Sequence, residues 1–265
     1  MNAILLCILW LLAAPAKAEE VVFTEVSPLS RNEELMRRML PRDQATALAE
    51  GLAKQGKHLA EQSIDPALER FTLHVPPEEP AGGYALLVFV PPWQQAKIPL
   101  GWEEVLDRLG VIYVSAARSG NEEITLARRE PLALIAAANV MARYKVDPAK
   151  VFIGGFSGGS RVAERLALGY PDLFHGALLD AGSDRLGTDP PPPPEDLLAL
   201  FKERSRLVFV TGEADSINRR LDADTMLSLD EIGMSRYVSQ SVPWLGHEVL
   251  PASAFEAAMK ALLAG

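Results

Sequence analysis

The sequence predicts an α/β sandwich built on a mainly parallel sheet, with helices on both faces. Two observations carry this. Seven short strand-like segments are separated by amphipathic, helix-like stretches, and the longer segments are continuous apolar runs rather than alternating ones. Strands that alternate with helices build parallel sheets through crossover connections. A strand covered on both faces has no polar side to alternate with. At 265 residues and 48% hydrophobic content, the chain suffices for one sizeable core and falls short of two full domains.

Residues 1–18 read as a signal peptide. An apolar run from Ile4 to Ala14 is followed by Pro15 and the small-x-small pattern Ala16-Lys17-Ala18, ahead of Glu19-Glu20. The run is shorter than the roughly 20 apolar residues that span a bilayer, so cleavage after Ala18 is expected rather than a permanent anchor. Although the n-region carries no Lys or Arg, the pattern predicts a periplasmic or secreted protein, with no membrane contact after cleavage. Cys7 is the single cysteine, so the mature chain would hold no disulfide and no cysteine nucleophile or metal ligand. The formal net charge is −9, and loss of Lys17 makes it more negative still. Such a surface repels a phosphate backbone, so nucleic acid is not an expected partner.

Residues 19–70 read as a helical N-terminal extension. Leu35, Met36, Leu40, Ala45, Leu48, Ala49 and Leu52 recur at three and four residues, a stripe expected to pack on a core. The α/β domain proper is expected over 71–265, with strands at 71–75, 84–90, 111–116, 151–155, 176–179, 207–211 and 238–242. Helix-like stretches at 126–144 and 161–168 lie between them. Five consecutive prolines, Pro190 to Pro194, can neither join a sheet nor sit inside a helix, and predict a stiff surface excursion.

The chemistry is concentrated where the strand at 151–155 meets the following helix, at Gly155-x-Ser157-x-Gly159. In a nucleophile elbow the serine occupies a strained turn, and small residues two positions away let strand and helix close together. The Gly158 N–H would then face a developing oxyanion. A Walker-type loop needs a lysine that is absent, and a dinucleotide fingerprint needs glycine where Phe156 stands. A purely structural glycine-rich turn is the remaining alternative.

A serine hydroxyl needs a base and an orienting acid, which in this fold follow in the order Ser, Asp or Glu, His. Of the two histidines beyond Ser157, His175 precedes a strand without a suitably placed acid. His247 lies in a loop between the last strand and the last helix. Asp215, in the turn after the strand at 207–211, is the expected acid; Asp180 is its competitor. Asp222 and Asp224 are expected on a solvated helix face.

The blocks Tyr144-Lys145-Val146-Asp147-Pro148-Ala149-Lys150-Val151-Phe152-Ile153-Gly154-Gly155-Phe156-Ser157-Gly158-Gly159 and Tyr170-Pro171-Asp172-Leu173-Phe174 resemble the polyhydroxybutyrate depolymerase and feruloyl esterase-like branch of the α/β hydrolases. The resemblance runs from about Phe71 to the C-terminus. It implies an eight-stranded-type sheet, a serine esterase mechanism without cofactor, and the roles given above to Ser157, Asp215 and His247. One departure stands out. Such enzymes carry His-Gly after the strand at 84–90, and the next residue donates the second oxyanion hydrogen bond; here the chain reads Pro91-Pro92-Trp93-Gln94. Prolines offer no N–H, so the donor would have to be Trp93 or Gln94; Trp93 is taken as the oxyanion candidate, with a wall tryptophan as the alternative.

Arg118-Ser119-Gly120-Asn121-Glu122 follows another strand at the edge where open α/β sheets bind ligands. Arg118 would read a carboxylate and Asn121 a carbonyl, unless the segment is an ordinary polar turn. Trp102 and Trp244 are expected in packing, with Trp244 also a candidate for the acyl pocket. No His, Asp and Glu cluster has metal-ligand spacing, so no metal is expected. The expected activity is hydrolysis of a small-molecule or polymeric carboxylic ester. The alternatives are a serine peptidase on the same fold and a non-catalytic binding protein.

Overall fold

The computed structural model describes residues 18–187 and 190–264. The apolar leader, Cys7 and Lys17 lie outside the described residues. Eight strands form one sheet: β1 (Glu19–Val21), β2 (Phe71–His74), β3 (Tyr84–Val90), β4 (Val111–Ala116), β5 (Val146–Phe156), β6 (Gly176–Asp180), β7 (Arg206–Gly212) and β8 (Tyr237–Val242). Their order is β1-β2-β4-β3-β5-β6-β7-β8. The β1–β2 and β2–β4 pairs are antiparallel and all the others parallel.

All seven residues of β3 are buried, and the reason is coverage on both sides. Leu86, Val88 and Val90 join Ile153, Ile135, Val162 and Leu166 on one face. Leu87 and Phe89 join Tyr113, Phe152, Trp102 and Phe255 on the other. The first face carries α4 (Glu130–Arg143) and α5 (Gly158–Gly169); the second carries α3 (Trp102–Leu109) and α8 (Ala252–Leu263). Trp102 is fully buried, stacks on Phe255 with centroids 3.7 Å apart, and donates from Nε1 to the Leu250 carbonyl at 2.9 Å. Its expected packing role is what the structure shows.

The strand order reverses between β3 and β5, since β4 lies to one side of this pair and β6 to β8 to the other. Ligands in open α/β sheets bind at the carboxyl edge of such a switch point. The register Val90↔Gly155 sets the loop after β3 beside the turn that carries Ser157.

The N-terminal segment departs from expectation in two ways. It is not wholly helical, because Glu19–Val21 adds an antiparallel edge strand to the sheet and Phe23 packs on Phe71 with centroids 4.7 Å apart. Its predicted apolar stripe is buried only in part. In α1 (Asn32–Met39) Leu35 and Met39 are buried, whereas α2 (Arg42–Lys54) buries no residue and Leu48 is exposed. Leu40 and Pro41 adopt extended conformations between the helices. That turns α2 away from the surface α1 covers. The proline run forms neither strand nor helix and leads into α6 (Glu195–Arg204), with Pro194 at its N-cap.

Candidate active site

Ser157 sits between β5 and α5 with φ 55° and ψ −121°, a conformation that L-residues adopt only where surrounding structure enforces it. The enforcing contacts are close. A Cβ on Gly155 would lie 2.3 Å from the Gly159 carbonyl carbon, and one on Gly159 would lie 1.9 Å from the Val90 oxygen. The Ser157 N–H donates to the Asp180 carbonyl at 2.8 Å, which ties the turn to β6.

His247, in the loop between β8 and α8, reaches this turn. Its Nε2 is 2.9 Å from Ser157 Oγ, and its Nδ1 is 2.7 Å from Asp215 Oδ2. Asp215 ends the turn after β7 and caps α7 (Ser216–Glu231), accepting from the Asn218 N–H at 3.2 Å. The Asn218 amide also donates to Asp215 Oδ2 at 2.8 Å, and its oxygen accepts from Arg161 at 3.3 Å. Arg161 thereby fixes which end of the amide faces Asp215. Burial works against ionisation of Asp215, but the hydrogen bonds from Asn218 and His247 outweigh it and hold its pKa below the ordinary carboxylate value. An ionised Asp215 accepts a hydrogen bond from the Nδ1–H of His247, which holds the tautomer whose Nε2 is free to accept from the serine hydroxyl.

Asp180 does not touch the imidazole. It is fully buried at the end of β6, and its Oδ2 accepts from the Leu250 N–H at 3.2 Å. Burial drives its pKa well above the ordinary value. Asp222 is a correction: it is buried rather than solvated, and accepts from Ser183 Oγ at 2.6 Å and from Thr211 Oγ1. It fills the space between α7 and the end of β7, where two hydroxyls compensate its burial. Asp224 is exposed, as expected.

The other candidates fall around the same edge. Trp93 packs its ring 6.2 Å from that of Phe156, which in turn lies 5.1 Å from the His247 imidazole. Asn121 is brought against the elbow: a Cβ on Gly158 would lie 2.3 Å from its Oδ1 and 3.0 Å from its Nδ2. The Asn121 N–H donates to the Pro92 carbonyl at 3.0 Å. The buried Arg129 donates to both Pro91 and Ser119 carbonyls, at 3.1 and 2.9 Å, joining the two loops. Arg118 is a correction, since its guanidinium is engaged by Glu69 at 2.8 Å and the Leu68 carbonyl at 3.3 Å rather than turned to the site. Glu69 is buried and needs cationic partners, and Arg128 is its second. Trp244 does not pack in the interior. It is 92% exposed, at φ 63°, on the loop that carries His247.

Comparison with solved structures places this architecture. The chain superposes on FphF, the substrate-bound fluorophosphonate-binding serine hydrolase F of Staphylococcus aureus, with TM-score 0.61 and 12% identity over 94% of this chain and 99% of that one. The S-formylglutathione hydrolase FrmB of Staphylococcus aureus matches with TM-score 0.58 and 12% identity, over 74% and 92% of the two chains. The chain has the α/β-hydrolase fold. The acetyl xylan esterase of Aspergillus awamori matches with TM-score 0.54 and 12% identity, over 74% and 95%. No protein-family model matches the sequence, and no curated protein is similar to it. Within this fold, sequence reasoning missed Asn218, Arg161 and Arg129. Asn218 alone carried a signal, three residues after a helix-capping aspartate.

Proposed function

We propose that this α/β-hydrolase-fold protein is an exported serine hydrolase that cleaves carboxylic esters through an acyl-enzyme. The reading rests on one observation: Ser157 Oγ, His247 and Asp215 form a continuous hydrogen-bonded chain of 2.9 and 2.7 Å at a strained elbow. In acylation Ser157 Oγ bonds to the ester carbonyl carbon while its proton passes to His247 Nε2. The imidazolium then gives that proton to the departing alkoxide as the C–O bond breaks. Water, deprotonated by His247, attacks the acyl-enzyme, and Ser157 recovers its proton as the carboxylic acid leaves. Asp215 stabilises the imidazolium in both halves.

The tetrahedral oxyanion would be held by the Gly158 N–H, with the Trp93 N–H as the second main-chain donor and the Asn121 amide beside Gly158 as a side-chain donor. Trp244, exposed beside His247, would contact the substrate. The sequence blocks around Ser157 and Tyr170 favour the polyhydroxybutyrate depolymerase and feruloyl esterase-like branch, and the leader favours the periplasm or the exterior. The test is labelling of purified protein with a fluorophosphonate, followed by comparison of p-nitrophenyl esters with peptide anilides. Labelling at Ser157 and preferential ester turnover are expected. A folded protein that does not label would overturn the enzyme reading, and preference for anilides would make it a peptidase.

A further inference from the structure

At the opposite edge of the sheet from Ser157 lies a cavity of about 270 Å³. Its lining includes Lys150, His175, Arg204, Arg206 and Arg236, with Glu203 as the one carboxylate. The topology assembles this set. Lys150 stands in the amino-terminal half of β5, His175 immediately before β6, Arg206 at the start of β7 and Arg236 immediately before β8. These four strands are consecutive neighbours in the sheet. The register Leu207↔Tyr237 sets Arg236 beside Arg206.

Three features separate this cluster from ordinary surface charge. First, the chain carries a formal net charge of −9, yet among the described residues no carboxylate lies within ion-pair distance of Arg204, Arg206 or Arg236; Lys150 alone has one, Asp147 at 3.2 Å. Second, Arg206 Nε is buried without a hydrogen-bond acceptor, although its Nη1 reaches the Ala261 carbonyl at 3.3 Å. A desolvated guanidinium N–H without an acceptor is destabilising, and an anion held in the cavity by the same guanidinium would offset that cost through its charge. Third, the negative end of the helix dipole accounts for Arg204 at the end of α6, but Arg206 and Arg236 stand on strand starts. Mutually repelling cations around one cavity are stabilised by a shared counter-charge.

We propose that this cavity binds a small dianionic oxyanion, a phosphate group or a dicarboxylate, through Arg206 and Arg236 with Lys150 at its rim. Phe152 and Leu262 supply an apolar wall for the organic part of such a ligand. Lys150 precedes Ser157 by seven residues along an extended strand, roughly 20 Å at ~3.3 Å per residue. The site is therefore separate from the ester-hydrolysis reading and does not depend on it.

The test is isothermal titration of the full chain with inorganic phosphate and, separately, with succinate, at constant ionic strength against chloride. Saturable one-site binding is expected for at least one of them, and the tighter of the two assigns phosphate or carboxylate chemistry. R206Q should weaken it at least tenfold, whereas S157A should bind as the parent does. Should R206Q fail to fold by circular dichroism, R236Q, whose side chain is exposed, carries the same comparison. Absence of saturable binding to either anion, or equal affinity in folded arginine variants, would overturn the proposal.

Discussion

At the scale of single residues, two buried aspartates at neighbouring strand ends are pushed in opposite directions from the ordinary carboxylate pKa, and this separates their roles. Hydrogen bonds from Asn218 and His247 hold the Asp215 carboxyl below the usual carboxylate range against its burial, whereas burial pushes the Asp180 carboxyl well above that range. Asp215→Asn should therefore lower kcat for an ester by about three to four orders of magnitude, as expected when the imidazole loses its orienting carboxylate. Asp180→Asn should leave kcat nearly unchanged. The stability effect has a definite sign. A carboxyl with a raised folded pKa makes the native state bind more protons, so stability falls as pH rises above the unfolded value of about 3.9. Asp180→Asn removes that loss, and its Oδ1 still accepts from Leu250. The variant should unfold at higher denaturant than the parent at pH 7, with the advantage vanishing below about pH 4. An inactive Asp180→Asn that folds normally would return that residue to the catalytic set. The Asn121 amide makes a further claim at this scale. If it donates to the oxyanion, Asn121→Ala should lower kcat about a hundredfold with little change in KM. An unchanged kcat would leave Gly158 and Trp93 as the donors.

At the scale of elements, the elbow works because β5, α5 and the end of β3 meet more closely than side chains permit. Gly159→Ala would place a Cβ against the Val90 main-chain oxygen, which cannot rotate away. A loss of at least about 3 kcal/mol in urea unfolding is expected. Gly158→Ala meets the Asn121 side chain instead, and an exposed side chain can move. That variant should fold with near-parental stability yet lose turnover by displacing Asn121. Equal stability losses in the two variants would contradict this account of the turn. The elbow's spacing was legible in the sequence because glycine at both flanking positions is a local requirement. The partnership of the loops after β3 and β4, fastened by Arg129 to Pro91 and Ser119, was not. It depends on which strands become neighbours.

At the scale of the whole molecule, the N-terminal segment is fastened to the body through the edge strand β1, through Phe23 on Phe71, and through α1. Arg38 is buried and forms a two-pronged ion pair with Asp172, at 2.7 and 2.9 Å, just beyond α5. Asp172 is partly exposed, so Arg38→Ala should cost only about 1–2 kcal/mol in thermal or denaturant unfolding. The kcat of the folded protein should be unaffected, because the catalytic edge does not involve α1; a fall in kcat at full folding would show that α1 supports the site. The sequence by itself determined the parallel-sheet architecture, the elbow at Ser157, and the chain order that points to His247. Each follows from local rules: continuous apolar runs mark strands covered on both faces, and Gly-x-Ser-x-Gly marks a turn that admits no bulk. The sequence left Asp215 and Asp180 as competing acids, and only the geometry put Asp215 on the imidazole. Tertiary structure decided where long polar side chains end. Arg118 turns to Glu69, Asp222 is buried against two hydroxyls, Trp244 is exposed, and strand starts far apart in sequence bring Arg206 and Arg236 to one cavity. A flexible charged side chain finds its partner through space, and no spacing along the chain records that distance.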